Sequence, residues 1–156
     1  MHLTLVGLSH KTAPIEIREK LTFPAHVQPQ ALSALTFGAE IAEAVILSTC
    51  NRTEVYAVSA SEAGTDAVID FLCEFHDLDR HELARYLYVV EDHAVVKHLF
   101  RVVASLDSMV VGEAQILHQV KEAYDLSCEA GAAQRLFHRL FRQSFEMGKR
   151  VRTETA

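Results

Sequence analysis

The 156-residue chain is long enough for one domain, or a small domain with an appendage, and its 49% apolar and 23% charged residues can bury a core beneath a polar surface. No apolar run approaches the length of a bilayer span, and the opening "MHLTLVGLSHKTAP" lacks the basic, apolar and small-residue regions of a secretory signal, so neither is expected. The net charge of −6 divides into −10 over residues 1–134 and +4 over residues 135–156 (Arg135, Arg139, Arg142, Lys149, Arg150 and Arg152 against Glu146 and Glu154), so the body repels a polyanion while the tail either attracts one or is a solvated helix face.

The segment "HLTLVGLSH" reads as a first strand, with Leu3, Leu5 and Leu8 in imperfect alternation. In "KTAPIEIREKL" Thr12 can cap a helix, Pro14 suits its first turn, and Ile15, Ile17 and Leu21 supply a weak apolar face. A second helix is expected over "PAHVQPQALSALTF", with Val27, Leu32, Leu35 and Phe37 turned inward. "EAVILST" is a buried strand, and "TEVYAVSA" is a strand with Val55 and Ala57 on one face and Tyr56 and Val58 on the other. The short Cys50-Asn51-Arg52 link predicts an antiparallel hairpin, although it lacks the Asn-Gly or Asp-Gly pair of the commonest turns.

"SEAGTDAVIDFLCEFHDL" is helical, with Val68, Phe71, Leu72 and Phe75 as its stripe and Cys73 beside it as a small hydrophobe. A short helix over "DRHELARYL" opens on an Asp cap, and "YLYVVED" reads as a last strand. From Asp92 onward the period is helical throughout. Val95, Leu99, Val102, Val103 and Leu106 form one stripe, Ile116, Val120 and Tyr124 a second, and Phe137, Phe141 and Phe145 a third. Gly112 and Gly131 separate these helices, and Cys128 falls on the second of them as a structural residue. The interleaving predicts an α+β fold, a mostly antiparallel sheet with helices on one face, followed by additional C-terminal helices.

Three widely spaced cysteines, Cys50, Cys73 and Cys128, argue against a disulfide framework and for a reducing, cytoplasmic setting. Cys50 sits in a turn between Thr49 and Asn51. Free cysteine is most often a buried structural residue, yet this one also meets the needs of a thiolate nucleophile. It ends a strand, Arg52 lies two residues away to favour the thiolate, and Asn51 and the turn amides can donate to a developing oxyanion. His10 follows the first strand, within reach of the same sheet edge. His98 lies about 95° from the centre of its helix's apolar stripe, a boundary position that can line a cleft but by sequence alone favours a snorkelling surface residue. No zinc-ligand spacing occurs, and the six dispersed glycines assemble neither a Rossmann loop nor a P-loop.

Taken together, "GLSHKTAPIEIREKL" (7–21), "LSTCNRTEVY" (47–56) and "HLFRVVASLDSMVVGEAQILHQVKEAY" (98–124) closely resemble the glutamyl-tRNA reductase family in order and spacing, as does the closing "KRVRTET". The resemblance implies a ferredoxin-like catalytic domain over 1–156, with a connecting helix starting at about 134–156. It implies that Cys50 attacks the ester of glutamyl-tRNA to form a glutamyl thioester, which NADPH reduces to glutamate-1-semialdehyde for tetrapyrrole synthesis. His98 matches a histidine important for activity. Thr49, Asn51, Arg52, Ser108, Glu113, Ala114, Gln115 and Gln119 match the glutamate-binding site, with Ala114 standing where the family pattern has Pro. The family's NADPH-binding and helical dimerisation domains follow this region, so NADPH is expected to act in the full-length homodimer and not to bind these residues alone. Glutamate-1-semialdehyde aminomutase is a further partner that the resemblance allows. The competing readings are a non-catalytic RNA-binding module using the basic tail, against which the absent RNA-recognition aromatic motif counts, and a structural interaction domain docking through the phenylalanine-striped helix.

Overall fold

The structure, a computed structural model, describes residues 1–104 and 115–155, so the expected stripe residue Leu106 and the separating Gly112 lie outside the described residues. The elements run β1 (His2–Ser9), α1 (Ile15–Lys20), α2 (Gln28–Thr36), β2 (Ile41–Ser48), β3 (Arg52–Ser59), α3 (Gly64–His76), α4 (Arg80–Leu83), β4 (Tyr88–Glu91), α5 (His93–Val103), α6 (Ile116–Glu129) and α7 (Arg135–Thr155). The strands form one antiparallel sheet in the order β2-β3-β1-β4, so the first and third strands lie in the middle. That order and the βαββαβ chain path define the ferredoxin-like arrangement.

Both faces of the sheet are covered. On one, Val6, Leu8, Ile46, Val55 and Ala57 meet Leu32 and Leu35 of α2 and Val68, Phe71 and Leu72 of α3. On the other, Leu5, Val45, Leu47, Tyr56 and Val58 meet Val95, Leu99 and Val102 of α5, Ile116 and Val120 of α6, and Phe137 and Phe141 of α7. The helices expected on one face are therefore α1 to α4, and the additional C-terminal helices close the opposite face. Burial on both sides explains why β1 shows only a blurred alternation: Leu5 feeds one core, while Val6 and Leu8 feed the other. The predicted facing of β3 is observed residue for residue.

Two local expectations change. Thr12 does not cap α1; Pro14 occupies that position without a side-chain bond, and the Thr12 hydroxyl instead accepts from Ser9 N at 3.0 Å. Phe37 is 92% exposed, not inward. The buried face of α2 is Gln28, Ala31, Leu32 and Leu35, at helical spacing, and Phe37 follows two residues later on the far side of the turn. The predicted Asp cap of α4 is present, with Asp79 accepting from Glu82 N at 3.1 Å.

The outer edge of β2 is met at Ala44 by the end of α6 and the turn that follows it. Ala44 N donates to Ala132 O at 2.9 Å, and the Ser127 hydroxyl donates to Ala44 O at 2.5 Å. Buried Glu43 reaches from the same strand to the start of α7, where its Oε1 accepts from Gln134 N at 2.7 Å and Phe137 N at 3.0 Å. No described helix is long and apolar enough to cross a membrane.

Candidate active site

The hairpin joining β2 to β3 turns through Cys50 and Asn51, neither with positive φ. It is held without the glycine-bearing turn that would match strand twist. Thr49 N donates to Arg52 O at 2.8 Å, and the Thr49 hydroxyl accepts from both Asn51 N and Arg52 N at 3.2 Å. A side chain thus replaces the backbone acceptor that closes an ordinary turn. His10 N donates to Asn51 O at 2.8 Å, fastening the turn to the end of β1. The loop after α1 is fastened as well: Phe23 N donates to Ser48 Oγ at 2.9 Å and the Thr53 hydroxyl donates to Leu21 O at 3.2 Å.

Cys50 is exposed at the tip of this pinned hairpin. It opens onto a cleft of about 420 Å³ whose walls are the Thr22–Ala25 loop, Gln28 of α2, Ser48 and Thr49 of β2 and its turn, and Gln119, Glu122, Ala123 and Leu126 of α6. Three of the residues singled out from sequence, Thr49, Cys50 and Gln119, therefore share one cavity. Gln119 Oε1 and Asn51 Nδ2 are buried with no hydrogen-bond partner among the described residues, leaving one acceptor and one donor for a ligand to satisfy. Gln115 is exposed at the start of α6, one turn before Gln119. Ser108, Glu113 and Ala114 lie outside the described residues.

Arg52 and His98 belong to a second group, which spans β3, β4 and α5 and is built around a residue that sequence reading passed over. Glu54 is fully buried. Its Oε2 accepts from His98 Nε2 at 2.5 Å, Tyr88 Oη at 2.5 Å and Arg52 Nη1 at 3.3 Å, and its Oε1 accepts from Tyr56 Oη at 2.7 Å. Burial alone would raise the pKa of this carboxyl, but the hydrogen bond and charge of His98, the charge of Arg52 and the Tyr88 hydroxyl outweigh it and hold it at about 2. An ionised carboxylate only accepts, so Nε2 of His98 carries the proton between them. Burial and then the charge of Glu54 push the Tyr56 hydroxyl well above its ordinary pKa.

Strand geometry explains the grouping. Arg52, Glu54 and Tyr56 alternate along β3 and so project from one face, and Gly7 of β1 lies directly between Glu54 and Tyr88 in the register. A Cβ on Gly7 would stand 2.8 Å from Thr53 O and 2.9 Å from Glu54 Cγ, so the bare backbone makes room for the carboxylate. The Arg-x-Glu-x-Tyr alternation was the signal for Glu54 in the sequence. His98 occupies the boundary of α5 as its helical angle predicts, but it does not snorkel to the surface: it is half-buried and bonded to Glu54 on the sheet.

The other described glycines have separate roles or open surroundings. Gly64 packs against Ser59, Gly148 against Val103 and Leu117, and Gly131 takes its φ of +72° in the α6–α7 turn. Among the described residues no group of three or more His, Cys, Asp or Glu could hold a metal ion.

The family model for the glutamyl-tRNAGlu reductase N-terminal domain matches residues 6–155. Glutamyl-tRNA reductase of Syntrophotalea carbinolica is 48% identical over 160 residues, covering 100% of this chain and 35% of its own length. The enzyme of that name from Moorella thermoacetica is 48% identical over 156 residues, covering 99% of this chain and 35% of its own. The solved glutamyl-tRNA reductase from Methanopyrus kandleri matches with a TM-score of 0.79 and 34% identity, over 97% of this chain and 34% of that one. The chain thus spans about a third of the length of the relatives it matches. On sequence and fold alike, it belongs to the N-terminal domain family of glutamyl-tRNA reductase.

Proposed function

We propose that this domain transfers the glutamyl group of glutamyl-tRNA to Cys50, the first half of the glutamyl-tRNA reductase reaction. The observation that carries this reading is the exposed Cys50 at the tip of a pinned hairpin, in a cleft shared with Thr49 and Gln119. The Cys50 thiolate attacks the ester carbonyl carbon and the S–C bond forms. The C–O bond to the tRNA ribose then breaks, the ribose oxygen takes a proton, and tRNA departs. An activated ester needs no strong base for this attack, so no complete triad is required.

The unbonded Asn51 amide supports a donor role toward the oxyanion, and the unbonded Gln119 carbonyl supports an acceptor role toward the substrate ammonium. Thr49 orders the turn. Glu113, Ser108, Ala114 and Gln115 complete the glutamate site in this reading. Arg52 pairs with a substrate carboxylate and polarises Cys50, two roles that separate experimentally because the first changes substrate affinity and the second changes alkylation of the free thiol. His98, held by Glu54, orients the substrate or assists proton transfer to the departing ribose hydroxyl.

In this reading, reduction by NADPH to glutamate-1-semialdehyde belongs to the full-length enzyme, of which this chain spans about a third. We place that enzyme in the cytoplasm as a homodimer that hands its product to the aminomutase.

Intact-mass spectrometry after incubation with glutamyl-tRNA tests the proposal. The expected result is one glutamyl adduct on Cys50, released by hydroxylamine and missing in Cys50→Ser. Reversible tRNA binding with an unlabelled Cys50 overturns it. For His98, unaltered acyl-transfer kinetics in His98→Asn removes its assigned role.

A further inference from the structure

We propose that α7 carries a binding ridge for the sugar–phosphate backbone of RNA, formed by Arg135, Arg139, Arg142, Lys149 and Arg150. On the reading above, which this proposal extends, that RNA is the tRNA that brings glutamate to Cys50.

Every one of the five side chains is exposed. At 3.6 residues per turn they fall within about 100° of one another around the helix, and at 1.5 Å per residue they run for about 22 Å along it. The opposite face is the one that folds: Phe137, Phe141 and Ser144 are fully buried. The charged ends of the five therefore lie toward solvent, although Arg142 also interacts with the Tyr124 hydroxyl of the core. Glu146 is the one acidic residue on the ridge. The ion pairs among the described residues lie elsewhere, at Arg52, Arg80, His98 and His118, and none neutralises the ridge.

A second helix adds to the field. Lys121 of α6 leans over α7, with Nζ 5.9 Å from the Phe145 ring centroid. Its ammonium is pushed below its ordinary pKa by desolvation and then by the charge of Lys149, which outweigh the opposing charge of Asp125, so the two cations crowd one another. A bound phosphate between them relieves that repulsion. The same helix α6 supplies Gln119, Ala123 and Leu126 to the Cys50 cleft, so ridge and cleft are two flanks of one packed helix pair. Four of the five ridge cations are arginines, whose planar fork suits phosphate oxygens. Against a body of −10, a ridge of this sign selects a polyanion and orients it.

The test measures the affinity of uncharged glutamate tRNA for the full chain by fluorescence anisotropy, between about 50 and 200 mM salt. The variants are Arg139→Gln with Lys149→Gln, and Arg135→Gln with Arg150→Gln; Lys20→Gln with Arg85→Gln on the opposite face is the control. The ridge variants are expected to weaken binding about tenfold or more and to reduce the salt slope by about one for each phosphate no longer neutralised, at an unchanged melting temperature. The control leaves both quantities unaltered. Unchanged affinity and slope in the ridge variants overturn the proposal. So does a lowered melting temperature or altered oligomeric state with RNA affinity intact, because the ridge then docks a protein surface. Cys50 acylation, followed by mass in the same samples at saturating glutamyl-tRNA, separates the two readings. An adduct with unaltered tRNA affinity in the ridge variants overturns the ridge alone, and weakened affinity with no wild-type adduct overturns the Cys50 reading while the ridge stands.

Discussion

Glu54 shows what one buried charge requires. A lone carboxylate in this core would be protonated or would unfold the sheet; four donors make the ion the stable form. Its pKa falls from the ordinary 4.5 to about 2, so between those values the unfolded chain binds a proton that the native chain does not. The stabilisation is therefore complete above about pH 4.5 and is lost as pH falls through 2. Glu54→Gln should cost about 3 kcal/mol at neutral pH and flatten the acid limb, as read by denaturant unfolding at a series of pH values. Gly7 gives a paired prediction. Gly7→Ala should destabilise by about 2 kcal/mol because its Cβ meets backbone at Thr53, whereas Gly38→Ala, with nothing within 4 Å, should be neutral or stabilising by about 0.5 kcal/mol. The hairpin around Cys50 was legible because strand end and turn adjoin in the chain, but residue type alone favoured a buried cysteine and this one is exposed. Glu54 was less so, since its donors come from three separate elements and only Arg52 and Tyr56 announce it locally.

At the scale of elements, the hairpin and α7 are each closed by a side chain standing in for backbone. Thr49 does this for the turn, and Glu43 does it for α7 across about ninety residues of sequence. A carboxylate at a helix N-terminus satisfies orphan N–H groups and opposes the positive end of the dipole. Glu43→Ala should cost about 2 kcal/mol and accelerate amide exchange at Gln134 and Phe137 ahead of the rest of α7. The alternation of β3 and the stripes of α3, α5 and α6 were plain in the sequence because period alone determines facing. The cap on α7 was hidden because its donor strand lies so far away, and Phe37 misled because the helix ended one residue before it.

Across the whole molecule, one sheet serves two cores, so neither helical layer is an independent unit. Phe141 packs on Tyr56 of the sheet and on Tyr124, Phe137 and Phe145 among the helices, with ring centroids 5.6, 5.7, 5.3 and 6.3 Å away. Leu32 is its counterpart on the other face. Phe141→Ala should lose about 4 kcal/mol and Leu32→Ala about 3 kcal/mol, both in a single urea transition with unchanged slope. Two separate transitions would show that the layers unfold independently. The sequence foretold the extra helices but not which face they take, because an apolar stripe says only that it must be covered. The bonds from Ser127 and Ala132 to Ala44 reach further than the fold they close. They occupy the outward N–H and C=O of Ala44, midway along an eight-residue edge strand that would otherwise template its own copies, so the end of α6 and the turn after it also guard against self-association. A chain cut before Ser127 should scatter light and bind thioflavin under conditions where the intact chain stays clear.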